Sequence, residues 1–274
     1  MMMMGERAWL IEGDNSVVYD RLGNVAAIIS DPPYGDEVHN KDRTGRNAQG
    51  IIVEDPIPFV SLTDFDRELL AAYACECCFG WTILFSQDEH LERWADAMTT
   101  LVGGGTRYFR AMVWVKPNAK PNLNGDGPGK GHEMLASFWG GIGRPKWNGG
   151  GKLGTFIHNR PAKPIHPTEK PLPLMKELVR LFTNPGDVIF DPFMGSGSTG
   201  VAALELGRRF IGVEKNPEYF ALATRRIRET LAHNDIFMDG PAGSPPTLFG
   251  TPIFGSTGTR RRLDREARER ADAK

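Results

Sequence analysis

The chain has 274 residues, 40% of them hydrophobic and 24% charged, and its formal net charge is −1. This composition is typical of a globular protein and excludes a mostly disordered chain, and the near-zero charge means that any nucleic-acid-binding surface must be local. There is no apolar run of roughly 18 residues, no signal-peptide pattern and no spread of cysteines, which argues against a membrane protein or a secreted disulfide scaffold and predicts a cytoplasmic one.

Short apolar runs alternate with amphipathic segments along the chain. In chain order we predict strands at 25–29, 81–85, 111–115, 188–190 and 210–213, and helices at 88–101, 172–182, 198–206 and 218–231. This alternation predicts an α/β, Rossmann-like fold whose mainly parallel sheet carries helices on both faces. Ligands of such sheets bind beyond the carboxyl ends of the strands, so the residues that follow each strand are the first candidates for a site.

A glycine-rich turn follows the predicted strand 188–190. Asp191 comes first, and Gly195, Gly197 and Gly200 then satisfy the pattern G-x-G-x-x-G at the start of a predicted helix. The next strand ends at Glu214, where a carboxylate can accept both ribose hydroxyls of a nucleoside cofactor. The order of strand, glycine turn, helix, strand and acid predicts a nucleoside-cofactor site.

Two cofactors fit this pattern. A dinucleotide would place its pyrophosphate at the helix N-terminus, whereas S-adenosylmethionine (AdoMet) has no phosphate and needs an acid for its ammonium group. Asp191 suits that ammonium, and Phe193 can pack on the ligand. The alternative for both residues is structural, with Asp191 as a helix cap and Phe193 in the core.

A second motif, Asp31-Pro32-Pro33-Tyr34, follows the predicted strand 25–29. The prolines remove two N–H donors and leave carbonyl acceptors, while Asp31 adds a carboxylate and Tyr34 an aromatic face. These groups match a planar ring with an exocyclic amine, which would donate to Asp31 and to the Pro32 carbonyl while the ring stacks on Tyr34. The nitrogen lone pair would then leave ring conjugation and attack a methyl sulfonium. A proline-rich turn with a capping Asp is the alternative.

Taken together, the two motifs resemble a known family. Asp31-Pro32-Pro33-Tyr34 is similar to the catalytic motif of DNA amino-methyltransferases, and residues 191–197 are similar to their AdoMet-binding motif. Residues 166–171 resemble the motif that precedes it in one subgroup. The order, with the catalytic motif first, is the circularly permuted order of the β class of these enzymes.

The resemblance implies an organisation and a set of site residues. It implies a catalytic half at 5–116, a basic target-recognition insert at 117–160 and an AdoMet-binding half at 161–238. The Pro and Gly content of residues 239–274, followed by mixed charge, predicts a flexible tail. The resemblance assigns the target base to Asp31, Pro32, Pro33 and Tyr34. It assigns AdoMet to Asp191, Phe193, Gly195, Gly197, Ser198 and Glu214, and the methionine portion to Thr168 and Lys170.

The segment 107–160 is basic, with nine Lys or Arg against two acids. We expect it to be loop-rich and to contact double-stranded DNA, from which the target base must be flipped at an expense of about a few kcal/mol. Surface charge without function is the alternative for each residue. The candidates for phosphate or base contact are Lys116, Lys120, Lys130, Arg144, Lys146, Lys152 and Arg160.

In this family an Asp at the first motif position is usually linked to adenine N6 and a Ser to cytosine N4, so Asp31 favours adenine. Cytosine C5 chemistry needs an activated cysteine, and we interpret Cys75, Cys77 and Cys78 as core residues of an apolar helix. A homodimer and a separately encoded restriction nuclease are the further partners that the resemblance suggests.

Three other functions compete with DNA methylation. They are an amino-methyltransferase acting on RNA or on a protein glutamine, a DNA-binding relative without catalysis, and a nicotinamide enzyme. The last leaves the Asp31 motif unexplained.

Overall fold

The structure, a computed structural model, describes residues 2–4, 6–19, 21–33, 45–46, 52–53, 62–100, 106–162 and 169–235. Two candidate site residues, Tyr34 and Thr168, lie outside the described residues, as does the predicted tail at 239–274. All other candidates named above are described.

Within these ranges, nine strands form one sheet. They are β1 (Met2–Met4), β2 (Ala8–Glu12), β3 (Val25–Ser30), β6 (Cys78–Ser86), β7 (Arg107–Val115), β8 (His132–Trp139), β9 (Thr155–Ile157), β10 (Val188–Asp191) and β11 (Arg209–Glu214). Their order across the sheet is β1-β2-β11-β10-β3-β6-β8-β7-β9. Two further short strands, β4 (Gly45–Arg46) and β5 (Ile52–Val53), pair with each other.

Five adjacent strands, β2, β11, β10, β3 and β6, are parallel, whereas β1 and β8 run antiparallel to their neighbours. The predicted mainly parallel sheet is thus confirmed. The prediction of a loop-rich insert at 117–160 is wrong in part, because this range contains β8, which lies between β6 and β7, and β9 beside β7. Residues 135–139 are all buried, and a short apolar run of this kind is typical of a strand covered on both faces.

Helices cover both faces of the sheet, as predicted. They are α1 (Asp64–Cys77), α2 (Leu91–Thr100), α3 (Leu172–Phe182), α4 (Ser198–Glu205) and α5 (Pro217–Asp235). One core lies between the sheet and α3, α4 and α5, and it includes Leu178, Val201 and Ile227. The other lies under α1 and α2 and includes Leu70 and Trp94. Among the described helices, none combines the length and the apolar character that a membrane crossing requires.

The strand directions define two edges of the sheet. We call the edge where β2, β11, β10, β3 and β6 end the carboxyl edge, and the edge where they begin the amino edge. Since β8 is antiparallel to β6, its first residue, His132, lies toward the carboxyl edge, next to Val115 at the end of β7. Several segments between Asp31 and Glu214 therefore lie at the carboxyl edge.

Candidate active site

A direct hydrogen bond joins the two motif segments at the carboxyl edge. The Ser30 hydroxyl, at the end of β3, donates to Oδ1 of Asp191, at the end of β10, over 2.6 Å, and both residues are buried. These strands are parallel neighbours. The segments that begin at Asp31 and at Pro192 therefore leave the sheet side by side, although they are far apart in sequence.

Asp191 is a buried carboxylate whose Oδ1 also accepts the Phe193 N–H at 3.1 Å. Burial raises the pKa of Asp191 to about 6, although hydrogen bonds from Ser30 and Thr199 act in the opposite direction. A carboxylate that is penalised for its charge gains most from a nearby cation. Asp191 is thus suited to hold an ammonium group.

The glycine-rich turn folds onto the end of β11. Gly195 and Gly197 have positive φ angles of 51° and 81°, a region that glycine adopts without steric penalty. The N–H of Gly195 donates to Oε2 of Glu214 at 2.9 Å, and the N–H of Asn216 donates to Oε1 at 2.8 Å. Burial also raises the pKa of Glu214. Each oxygen keeps a further lone pair, so Glu214 can still accept ribose hydroxyls.

The third glycine of the pattern serves packing. A Cβ on Gly200 would lie 2.7 Å from Cε1 of Phe210 and 2.8 Å from Cδ1 of Ile227. Gly200 therefore allows α4 to lie close to β11 and α5. Phe193 packs partly buried against the core under α1 and α2, and Ser198 is buried at the start of α4.

Asp31 directly follows β3, and in the part of the chain that the structure describes it is held through one oxygen. The Lys170 ammonium donates to Oδ2 of Asp31 at 2.5 Å. The other oxygen, Oδ1, is buried and has no hydrogen-bond partner among the described residues. Leaving a buried acceptor unsatisfied costs about 1–3 kcal/mol, and a donor on a bound ligand would remove that penalty. Pro32 is buried and Pro33 half-buried beside it.

The segment Glu169-Lys170 touches both sides of the site. Lys170 lies on the Asp31 side, where its Nζ is also 3.3 Å from Oε2 of Glu133. Glu169 pairs with Nη2 of Arg226 at 3.1 Å, and Nη1 of Arg226 donates to the Ser196 carbonyl at 2.8 Å in the glycine turn. The resemblance assigned Lys170 to the methionine portion of AdoMet, whereas here its ammonium lies between two carboxylates.

This geometry can be set beside known proteins. Residues 143–225 match the model of the N6/N4 methyltransferase family of DNA methylases. Over 134 residues the chain is 35% identical to the Type II methyltransferase M.XycI of Xanthomonas campestris pv. cyanopsidis, across 44% of this chain and 45% of that protein. Residues 143–225 are thus similar to DNA N6/N4 amino-methyltransferases. The aligned part spans less than half the length of this curated relative.

Solved structures share the fold. The complex of M1.HpyAVI with SAM has a TM-score of 0.61 and 26% identity, and the match covers 80% of this chain and 98% of that chain. The cytosine-N4-specific PvuII DNA methyltransferase has a TM-score of 0.60 over 94% of this chain and 92% of its own, but its identity of 15% shows the fold alone. The family match at 143–225 includes Asp191, Gly195 and Glu214 but not Asp31.

The candidate DNA-contacting residues fall into two groups within this fold. Residues 116–131 connect β7 to β8 and residues 158–162 follow β9, all toward the carboxyl edge. Residues 140–154 connect β8 to β9 from the amino edge. The first group is Lys116, Lys120, Lys130 and Arg160, and the second is Arg144, Lys146 and Lys152.

The second group is fixed away from Asp31. The Trp81 indole donates to the Lys146 carbonyl near the start of β6, and Asn148 donates through Nδ2 to the carbonyls of Arg180 and Thr183 at the end of α3. Lys152 forms an ion pair with Glu177 on α3. This placement does not bring Arg144 and Lys146 to the base site.

The cysteines lie at the opposite edge of the sheet from the site. Cys75 and Cys77 belong to α1 as expected, but Cys78 is the first residue of β6 and pairs with Val25, so its assignment to the helix is wrong. Burial raises the pKa of all three thiols, to about 11 for Cys77. A nucleophilic cysteine needs a lowered pKa, which supports their role as core residues.

Sequence reasoning missed several residues of the site. Glu133 and Arg226 were not candidates, because only the fold brings them to Lys170 and to the glycine turn. Asp14 follows β2, the parallel neighbour of β11, and pairs with Lys215 at 3.0 Å. A short apolar strand followed by Gly13-Asp14 was the available signal.

Proposed function

We propose that this chain transfers a methyl group from AdoMet to the exocyclic amine of a base in double-stranded DNA, with adenine N6 as the target. The supporting observation is the pair of adjacent carboxylates at the ends of β3 and β10. Asp191 lies beside a glycine turn suited to a nucleoside cofactor, and Asp31 offers a buried acceptor without a donor. This arrangement suits transfer between two ligands held side by side.

The cofactor side fits AdoMet in its chemistry. Asp191 would hold the ammonium group, and the N-terminus of α4 would favour the carboxylate through its free N–H groups. Glu214 would accept the ribose hydroxyls, and Asp14, at the end of the next strand, would lie toward the adenine. AdoMet supplies an electrophilic methyl group on its sulfonium.

On the amine side, Asp31 accepts one N–H through Oδ1 and the Pro32 carbonyl accepts the other. These bonds draw the nitrogen toward tetrahedral geometry and free its lone pair. The new N–C bond forms as the C–S bond breaks, and the methylated nitrogen is then positively charged and must lose one proton. Asp31, already hydrogen-bonded to the nitrogen, takes that proton and releases it to solvent.

Adenine is favoured over cytosine by the Asp at the first position of the motif, through the family resemblance. Both bases present the same amine donors, so the Asp31 geometry serves either. DNA as the substrate is supported by Lys120, Lys130 and Arg160, which lie toward the carboxyl edge where a flipped base must enter. Lys116 is 11% exposed and paired with Glu133, which argues against its predicted contact with DNA.

Nucleoside mass spectrometry tests the proposal. The protein is incubated with AdoMet and unmethylated DNA, and the DNA is digested to nucleosides. We expect N6-methyldeoxyadenosine. N4-methyldeoxycytidine would keep the reaction but refute adenine as the target. The absence of any methylated nucleoside, from protein shown by calorimetry to bind AdoMet, would contradict DNA as the substrate. Binding of NAD in place of AdoMet would contradict methyl transfer itself.

A further inference from the structure

Asp31 is the first member of a row of alternating charges. Oδ2 of Asp31 pairs with Nζ of Lys170 at 2.5 Å, Nζ of Lys170 lies 3.3 Å from Oε2 of Glu133, and Oε1 of Glu133 accepts from Nζ of Lys116 at 2.5 Å. The four residues come from four separate places in the chain: the end of β3, the segment before α3, strand β8 and the end of β7. The fold therefore assembles this row.

The row is largely removed from water. The exposed side-chain fractions are 8% for Lys170, 11% for Lys116, 17% for Glu133 and 22% for Asp31. Aromatic rings flank both cations, with Lys170 4.9 Å above Phe85 and Lys116 4.8 Å above Trp114. Two carboxylates and two ammonium groups leave no net charge, as buried ions require.

The row uses only one oxygen of Asp31. Lys170 holds Oδ2, while Oδ1 is buried without a hydrogen-bond donor among the described residues. An aspartate pinned through one oxygen cannot rotate freely, so the other oxygen keeps a fixed direction. This is the condition for orienting an incoming amine.

We propose that Lys170 and Glu133 are positioning residues for methyl transfer: Lys170 pins Asp31 so that Oδ1 meets the target amine, and Glu133 contributes to kcat by holding Lys170. This inference rests on the proposed function. It gives Lys170 a role on the amine side in place of the methionine side of AdoMet, and it gives Glu133, which no sequence motif contains, a role in the site.

Lys170 and Glu133 should shift the pKa of Asp31 in opposite directions, because they carry opposite charges. Burial raises the pKa of Asp31, Lys170 acts to lower it, and Glu133 acts to raise it. Lys116 also acts to lower it, and Asp31 in turn raises the pKa of Asp191. Burial acts to lower the pKa of Lys170, but Asp31 and Glu133 outweigh it, so that pKa is raised and Lys170 stays charged.

The experiment compares Lys170→Gln, Glu133→Gln and the double variant with wild type. The kcat for DNA methylation is measured against pH, together with the Kd for AdoMet. We expect kcat to fall roughly 100-fold in Lys170→Gln and roughly 10-fold in Glu133→Gln, with the AdoMet Kd unchanged. The acidic limb of the pH profile should move to higher pH in Lys170→Gln and to lower pH in Glu133→Gln.

The double variant isolates the indirect action of Glu133. If Glu133 acts through Lys170, removing it from the Lys170→Gln background should change kcat no further. The double variant also keeps the row neutral, so it remains informative if a single variant unfolds. Lys176→Gln is the matched control, because Lys176 forms a more exposed ion pair with Glu205 between α3 and α4, and its profile should match wild type.

A second readout does not depend on turnover. The titration of Asp31, followed by carboxyl ¹³C NMR, should shift in the same opposite directions. Three results would overturn this inference alone. The first is a shift of the Asp31 titration in the same direction in both single variants, and the second is a Glu133→Gln effect on kcat that is undiminished in the Lys170→Gln background. The third is a rise in the AdoMet Kd that matches the loss of kcat/KM. A wild-type protein that methylates no DNA would overturn the proposed function and this inference with it.

Discussion

The two sides of the site are built in different ways. On the cofactor side, the Glu214 carboxylate accepts the backbone N–H groups of Gly195 and Asn216, all close to the β10–β11 unit. On the amine side, Asp31 is held by Lys170, which is 139 positions away, and through it by Glu133. A local turn forms from its own sequence, whereas the amine side depends on the assembled sheet.

This difference predicts that AdoMet binding and methyl transfer depend on different residues. The carboxylate oxygens of Glu214 both accept backbone N–H groups, so the cofactor side is shaped before a ligand arrives. Oδ1 of Asp31 accepts no bond among the described residues, so it is open to a donor on a ligand. Changes on the cofactor side should therefore alter AdoMet binding, and changes on the amine side should alter the rate of transfer.

The largest effect is expected for Asp31→Ala. It removes the carboxylate proposed to accept the amine and leaves Lys170 with one carboxylate partner fewer. Methyl transfer should fall by roughly 1,000-fold or more, as measured by incorporation of a labelled methyl group into DNA. Glu205→Ala, which removes a carboxylate from an ion pair at the end of α4, is the control and should retain wild-type activity. Substantial transfer by Asp31→Ala would refute its role.

Gly197→Ala should weaken AdoMet binding on the cofactor side. Gly197 has a φ of 81°, and a Cβ there would lie 3.1 Å from Cβ of Ala223, so the turn must shift. AdoMet affinity should fall by roughly 10- to 100-fold, measured by calorimetry. Gly186→Ala is a matched control, because its φ of 85° imposes the same strain while a Cβ would meet nothing within 4 Å. Equal losses of AdoMet affinity in both variants would show that strain alone is responsible.

The raised pKa of Asp191 should make the free energy of unfolding depend on pH. Since burial raises its pKa to about 6 from an ordinary value of 3.8, the folded protein is penalised for ionising it as the pH rises through that interval. The free energy of unfolding of ligand-free protein should lose up to about 3 kcal/mol from this group between pH 4 and 6. Denaturant titration of wild type and Asp191→Asn measures it, and the variant should lack this component.

The same group should make AdoMet binding weaker in acid. If the ammonium of AdoMet needs an ionised Asp191, the affinity at pH 5 should be about tenfold lower than at pH 7.5. Asp191→Asn should bind more weakly at neutral pH and show little change with pH. A wild-type affinity that is constant across this interval would contradict the assignment of Asp191 to the ammonium.

The smallest effects concern the two groups of basic residues. Lys120→Gln and Lys130→Gln, between β7 and β8, should each weaken DNA binding by about two- to fivefold and reduce the salt slope of log K by about 0.9 per lost phosphate contact. Arg144→Gln and Lys146→Gln, between β8 and β9, should leave both quantities near wild type. Fluorescence anisotropy at several salt concentrations compares them, and the reverse ranking would contradict the proposed direction of DNA entry.

Sequence reasoning succeeded where structure is local. The helix 172–182 has the bounds predicted, and strands β10 and β11 lie within one residue of their predictions, because apolar runs, a Pro-Gly turn and a glycine turn mark them directly. It failed at β8, whose residues follow a glycine-rich stretch and run antiparallel to β6. Nothing in the local pattern of 132–139 shows which strands it joins.

The candidate site residues also divide into those that local sequence predicts and those that depend on the assembled fold. Asp191, Gly195 and Glu214 could be found from spacing along one β-α-β unit, and Asp31 from its motif. The ion pairs of Lys170 with Asp31 and Glu133 join residues with no fixed spacing, and the contact of Arg226 with Ser196 depends on how α5 packs beside α4. Those contacts follow only once the sheet order is known.

Calorimetric titration of AdoMet into wild type, Asp31→Ala and Glu214→Ala tests most directly whether the two sides are separate. We expect equal AdoMet affinity for wild type and Asp31→Ala, and a loss of roughly 100-fold for Glu214→Ala, which removes the proposed acceptor of the ribose hydroxyls and the acceptor of the Gly195 N–H. Equal loss of affinity in the two variants would contradict the account, because Asp31 would then belong to the cofactor side.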